Sequence, residues 1–205
     1  MKPGMKPKDV LMEGKIGMNI ILDMDQTLIC NTRKRPHLEI FLEFCFLKFQ
    51  NVSIWTAAAR EWFDYVNENI FTPILNEIRD RYGGDVNTKF DFVFTRDRCS
   101  LVRNIEAVFA DSFFVEKRLN KLFRSKQRYK DYTRGNTIIL DDDTFTFRKN
   151  YGNALGIYPY FGGSDDGIDD ELICAMIYMI KVIFPHFKKV GTIRDLDKRG
   201  WKRFV

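Results

Sequence analysis

The chain has 205 residues, 45% hydrophobic and 30% charged, with 19 phenylalanines and a formal charge of +5. That length supports one domain with a sizeable aromatic core and is short for two, and the composition excludes disordered and membrane-embedded classes. The positive balance favours anionic or phosphorylated partners, but acids are interspersed with the bases, so no block dedicated to a polyanion stands out.

Residues 1–17 are basic, carry Pro3 and Pro7, and read as a flexible arm; no apolar stretch follows as a secretory signal requires. Residues 19–22 form an apolar strand that ends in the acidic string DMDQT. Pro36 suits a first helical turn, and Leu38, Phe41, Leu42, Cys45 and Phe49 recur at helical spacing, predicting one buried helix face. A second strand over 52–55 reaches Thr56, which could cap a helix over 57–70. Residues 70–90, with Pro73 and Gly83-Gly84, read as a helical or irregular insertion that forms a lid or a substrate wall. Residues 90–95 alternate as a third strand, 115–123 read as a short helix, and 124–136 as a basic polar connection. A fourth strand over 137–140 runs into Asp141, Asp142 and Asp143; a short strand over 154–158 and a helix over 169–183 follow. Residues 191–205 are set apart as a C-terminal tail.

Strands alternating with helices predict an α/β fold with a mostly parallel sheet and helices on both faces. Asp23, Thr56 and the Asp141 cluster each follow an apolar strand. The carboxyl ends of parallel strands line one crevice, so three distant segments are expected to meet there.

The longest apolar run, 172–184, is interrupted by Lys181 and falls short of the roughly 20 residues that span a bilayer, so no membrane segment is expected. Cys30, Cys45, Cys99 and Cys174 are scattered without zinc spacing, which points to a reducing intracellular compartment, nuclear or cytoplasmic.

In ILDMDQTL, Asp23 and Asp25 stand two apart. A carboxylate can take a phosphoryl group as an aspartyl-phosphate when a cation screens its charge, and a second carboxyl can protonate the leaving alkoxide and then activate water. Asp23 fits the first role and Asp25 the second. A calcium loop would need Gly and Glu where Leu28 and Lys34 stand, so that reading fails. A solvated acidic turn is the plain alternative. The cluster at 141–143 offers oxygen ligands for Mg²⁺, with an exposed acidic turn or a helix cap as its alternative.

These strings, with KRPHLEIFLEF, VSIWTAA, VEKRLNKL, IILDDD, NALGIYPYF and DDEL, resemble the haloacid-dehalogenase superfamily and, within it, the phosphatases of the RNA polymerase II C-terminal domain. The resemblance runs over about residues 19–175 and implies a three-layer Rossmann-like domain over 18–190. It implies a phosphomonoester hydrolase in which Asp23 is phosphorylated and Asp25 is the general acid/base, with Mg²⁺ held by Asp23, the Asp25 main-chain carbonyl and Asp142. Asp141 is the second choice of ligand, beside it. Thr56 and Lys117 match the hydroxyl and lysine that hold the phosphoryl group, and Arg96 matches an arginine near the substrate phosphate. For Lys117, a surface lysine on an amphipathic helix one turn from Lys121 is the alternative; for Arg96, a solvated strand end. His37 and His186 are not needed.

Only ICNTRK separates the acidic string from the RPH helix, where the polymerase-tail enzymes carry a longer β-excursion. A phosphorylated protein or peptide is the expected partner. A nucleotide, nucleic-acid-end or small-metabolite phosphatase is the first alternative, although no motif calls for nucleic acid, and a catalytically silent phosphoprotein-binding adaptor is the second. Oligomeric state is not legible.

Overall fold

A computed structural model describes residues 14–103, 113–125, 127–163 and 169–205. Most of the basic arm expected over 1–17 lies outside the described residues. In chain order, β1 (Asn19–Leu22) leads to a small antiparallel hairpin, β2 (Ile29–Cys30) with β3 (Arg33–Lys34), then to α1 (Leu38–Lys48) and β4 (Asn51–Trp55). Next come α2 (Arg60–Val66), a π turn (Asn67–Phe71) and α3 (Thr72–Arg81), followed by β5 (Val93–Phe94). A hairpin of β6 (Ser100–Arg103) and β7 (Phe113–Glu116) precedes the one-turn α4 (Asn120–Phe123) and β8 (Thr137–Asp141). The chain closes with α5 (Thr144–Phe147), β9 (Ala154–Gly156), α6 (Glu171–Tyr178), a second π turn (Met179–Ile183), α7 (Phe184–Val190) and a 3-10 turn (Trp201–Phe204).

The central sheet has the order β5-β4-β1-β8-β9, and each pairing within it is parallel. Strand order reverses on either side of β1, which is where an open α/β sheet forms its crevice. Leu22 lies opposite both Ile54 and Leu140, so the three central strands end nearly flush.

Both sheet faces are buried, and the strand period of two sorts their residues. Ile20, Leu22, Val52, Ile54, Ile138 and Leu140 enter a core with α1, α3 and α6. Ile21, Trp55 and Ile139 enter a second core with Phe92, Phe94, Leu122, Tyr129 and Tyr132. Each such aliphatic side chain stabilises by about 1.5–3 kcal/mol. The second face is covered by the one-turn helices α4 and α5 and the turns at 127–132 rather than by long helices. Among its polar groups, the Tyr132 hydroxyl is paired, 2.7 Å from Ser53 and 2.8 Å from Asp91, whereas the Trp55 indole nitrogen and the Tyr129 hydroxyl are buried without a hydrogen-bond partner among the described residues.

Several local expectations change. Pro36 precedes the N-cap of α1, His37, which takes a left-handed φ of 66°. Phe44 and Phe46 of α1 are buried alongside the predicted apolar face, because the helix is sandwiched between the sheet and α3 and α6. Residues 60–81 are a continuous helical run, with the π turn just before Pro73 carrying the chain past a residue that has no N–H to donate. Ile70, Phe71, Ile74, Leu75 and Ile78 are buried in the first core, so 70–81 is a packed layer and not a lid.

The helix expected over 115–123 is instead strand β7 followed by α4. Val115, Leu119 and Leu122 have helical spacing, but pairing with β6 and stacking of Phe114 on Phe145, ring centroids 4.7 Å apart, hold an extended chain. The strand expected over 90–95 contracts to β5. Residues 191–205 fold back on the unit: Trp201 is buried and donates its indole N–H to the Gly156 carbonyl at 2.7 Å. No helix among the described residues is long and apolar enough to cross a membrane, and the four cysteines are free thiols.

Candidate active site

The crevice is built where β1, β4 and β8 end. Beyond Leu22 the chain continues as Asp23, whose N–H donates to the Leu140 carbonyl at 2.9 Å, and then folds into a tight turn. Leu28 N–H closes that turn on Met24 at 2.8 Å, with Gln26 at a φ of 60°. Met24 points into the core, so Asp23, Asp25 and Thr27 are left to face the crevice. Arg35, fully buried, clamps the turn from behind. Its guanidinium donates to the Thr27 carbonyl at 3.1 Å and the Tyr158 carbonyl at 2.8 Å and pairs with Asp169 at 3.0 Å.

Lys117 enters from the end of β7, with its main-chain N–H on the Thr146 carbonyl at 2.8 Å and its own carbonyl accepting from Asn150. Its ammonium is 1% exposed, hydrogen-bonds Asp23, and lies 2.7 Å from Asp141 Oδ2. Asp141 also accepts from the Thr146 hydroxyl at 2.8 Å and the Asp143 N–H at 3.0 Å, so both its oxygens are engaged. Asp142 is half-buried; its Oδ1 accepts from the Thr27 hydroxyl at 2.7 Å, and its N–H donates back to that hydroxyl at 3.1 Å.

On the other side, Asp25 Oδ2 is 3.3 Å from the Thr56 hydroxyl and Oδ1 is 2.8 Å from the indole nitrogen of Trp62. Thr56 does not cap the following helix, whose N-cap is Ala59; its hydroxyl accepts from the Ala58 N–H at 3.0 Å and stays at the crevice.

Burial pushes the Asp23 carboxyl up to about 6, with Asp142 adding to the rise and Lys117 opposing it. Burial likewise pushes Asp141 up to about 6 against the pull of Lys117. Burial acts to lower the Lys117 ammonium, but Asp141 and Asp23 together outweigh it and hold the lysine above its ordinary value.

One oxygen from each of Asp23, Asp141 and Asp142 lies within 4.8 Å of the others. An all-oxygen donor set suits Mg²⁺ rather than a softer metal. Asp141 has its oxygens committed to Lys117, Thr146 and Asp143, whereas Asp142 keeps Oδ2 outside its Thr27 bonds, so of the two Asp142 has the oxygen that could bind a cation.

The structure thus brings Asp23, Asp25, Thr56, Lys117, Asp141 and Asp142 together. Arg96 stands apart: it is exposed, and its Nε donates to the Ala57 carbonyl at 2.8 Å. His186 pairs with Asp195 at 2.9 Å, outside this cluster. Sequence reasoning missed Thr27, Trp62 and Arg35. The threonine closing DxDxT was a usable signal; nothing local marked Trp62. A cavity of about 1170 Å³ opens beside Asp142, between β9 and residues 194–202, with Phe145, Tyr151, Tyr158, Arg148 and Arg194 among its walls.

A five-stranded parallel α/β sheet with an aspartate-rich crevice at its switch point defines the class of fold. The family model described as NLI interacting factor-like phosphatase matches residues 18–190, and the chain belongs to that family. It is 27% identical over 152 residues to the CTD phosphatase-like protein 355R of Invertebrate iridescent virus 6, covering 73% of this chain and 72% of that protein. Among solved structures it is similar to Fcp1, described as an essential RNA polymerase II CTD phosphatase, with 16% identity, a TM-score of 0.40, and 84% of this chain and 52% of that one covered. A single-residue variant of fission yeast Fcp1 bound to beryllium fluoride gives 13% identity, a TM-score of 0.40, and 84% and 54% coverage. The chain therefore spans about half the length of the Fcp1 structures.

Proposed function

We propose that the protein is a Mg²⁺-dependent phosphatase acting on phosphoserine or phosphothreonine in a protein chain. The observation that carries this reading is the buried lysine held between Asp23 and Asp141, within reach of Asp142, at the carboxyl end of the sheet. A cluster of three carboxylates, two of them paired with one ammonium, is costly unless a further cation joins it. Asp23, Asp142 and the main-chain carbonyl of Asp25 would hold Mg²⁺, which supplies charge neutralisation between the nucleophile and the phosphate.

Asp23 attacks phosphorus in line with the ester oxygen. As that P–O bond breaks, Asp25 gives its proton to the departing alkoxide, leaving an aspartyl-phosphate on Asp23. Asp25, now a carboxylate, takes a proton from water as the water attacks phosphorus; inorganic phosphate leaves and both aspartates return to their starting state. Lys117 and Thr56 supply the positive charge and the hydroxyl donor for the phosphoryl oxygens. Arg96 has its Nε tied to the chain after β4 and is assigned no more than a place at the rim.

A protein substrate is favoured by the family and by the cavity beside Asp142, whose tyrosine, phenylalanine and arginine walls suit a peptide more than a small metabolite.

The test is Mg²⁺-dependent release of phosphate from a phosphoserine peptide, run beside nucleotides and end-phosphorylated oligonucleotides. Asp23→Asn should abolish turnover. Equal rates for wild type and Asp23→Asn refute the nucleophile, preference for the nucleotides moves the substrate class, and absence of any turnover leaves the binding-adaptor reading.

A further inference from the structure

We propose that Trp62 is a positioning residue for Asp25, holding the general acid/base so that its exchangeable proton sits on one chosen oxygen. The inference rests on the phosphatase reading above.

The Trp62 indole nitrogen is 2.8 Å from Asp25 Oδ1, and the Thr56 hydroxyl is 3.3 Å from Oδ2, so each carboxyl oxygen meets one side chain. These two neighbours differ in kind. An indole N–H can only donate, whereas a hydroxyl can donate or accept. Oδ1 is therefore kept as an acceptor whether Asp25 is protonated or not, and the proton to be transferred is confined to Oδ2, the oxygen beside Thr56. Without the indole, the carboxyl could rotate or carry its proton on the oxygen turned away from the reaction.

The donor is well placed to do this. Trp62 lies in the first turn of α2, half-buried, packed against the first core and stacked on Tyr65 with ring centroids 5.6 Å apart and planes 12° apart. Phe63 and Val66 of the same helix are buried, and the turn between β4 and α2 is fixed by the Ala58 N–H on Thr56. One short segment thus sets both neighbours of Asp25. Trp62 has no place in the proposed chemistry itself, and an indole N–H aimed at a carboxylate is not required to bury the ring.

The role predicts a loss that depends on the leaving group. With the full chain and Mg²⁺, kcat/KM is measured for Trp62→Phe, Trp62→Tyr and Asp25→Asn on dinitrophenyl phosphate, phenyl phosphate and a phosphoserine peptide. Phe keeps a ring and removes the donor; Tyr restores a donor. Trp62→Phe should lose least on dinitrophenyl phosphate, whose leaving group needs no proton. It should lose roughly ten- to a hundred-fold on phenyl phosphate and phosphoserine, part of the ~10²–10⁴ that general acid–base catalysis contributes.

Asp25→Asn should show the same trend more steeply, and Trp62→Tyr should recover part of the loss. The same fractional loss on all three substrates, or no loss, overturns the assignment even if wild type is fully active. If Trp62→Phe folds poorly, Trp62→Tyr alone decides: it must lose more on phosphoserine than on dinitrophenyl phosphate or leave both rates near wild type, and a uniform drop sinks the idea. Wild-type chain without turnover on any of the three overturns the phosphatase reading and this assignment with it.

Discussion

Replacing Lys117 by Met removes the cation that two buried carboxylates share while keeping most of the side chain's volume. The lysine is 1% exposed and Asp141 0% exposed, so water cannot take over the solvation of either charge. Removing one partner of a buried ion pair costs about 3–5 kcal/mol, because the other is left charged and unpaired. For a domain of this size that corresponds to a fall in Tm of roughly 6–20 °C. Burial raises the carboxyls of Asp23 and Asp141 to about 6 even with Lys117 pulling them down; without the lysine both rise further, so at pH 7.5 part of the penalty is met by protonation and the loss falls at the lower end of that range.

Two further arms locate the cause. Lys117→Met with Asp141→Asn should regain much of the lost Tm, since one of the two stranded charges is gone. Added Mg²⁺ should stabilise Lys117→Met more than wild type, because the ion then supplies the missing counter-charge. The assay is thermal unfolding by circular dichroism with and without Mg²⁺. A Tm for Lys117→Met within about 3 °C of wild type in metal-free buffer would refute the reasoning.

Thr27→Ala removes the hydroxyl that donates to Asp142 at 2.7 Å and accepts its N–H at 3.1 Å, so Mg²⁺ affinity should fall about 10- to 100-fold, read by calorimetric titration, while Thr27→Ser keeps most of it. Glu116 accepts from Arg118 and Arg148, each at 2.6 Å; burial acts to raise its pKa, but the two arginines prevail and hold it below 4.5. Because the folded-state pKa is the lower one, this contribution is present above pH 4.5 and fades as the pH falls through the folded value. Glu116→Gln should therefore lose about 1 kcal/mol at pH 7, a figure kept small by the exposure of both arginines, and chemical denaturation should show the gap to wild type closing in acid.

The short length of ICNTRK has a structural counterpart in the two-residue strands β2 and β3, which occupy the place of the longer β-excursion expected of polymerase-tail enzymes. Between Thr56 and Lys117 the chain forms α2, the π turn, α3, β5 and the β6–β7 hairpin.

Some of this molecule is written in neighbouring residues. The strand at Asn19–Leu22, the acidic turn after it, the α1 helix and the strand at Thr137–Asp141 depend on periods of two and 3.6 and on abrupt changes of polarity, which any stretch of chain carries by itself. That Asp23, Thr56 and Asp142 meet in one crevice follows from the same local signals, given that parallel strands end together. The direction of side chains beyond the strand ends does not. Whether residues 115–119 were helix or strand was decided by β6 and Phe145, and residues 70–81 became core because Phe71 packs on Phe90, which in turn packs on Phe46 of α1. The Trp62 bond to Asp25 spans 37 residues and the Thr27 bond to Asp142 spans 115. A hydrogen bond needs its atoms within a few tenths of an ångström, and only the packing of the whole sheet fixes distances between remote segments to that tolerance.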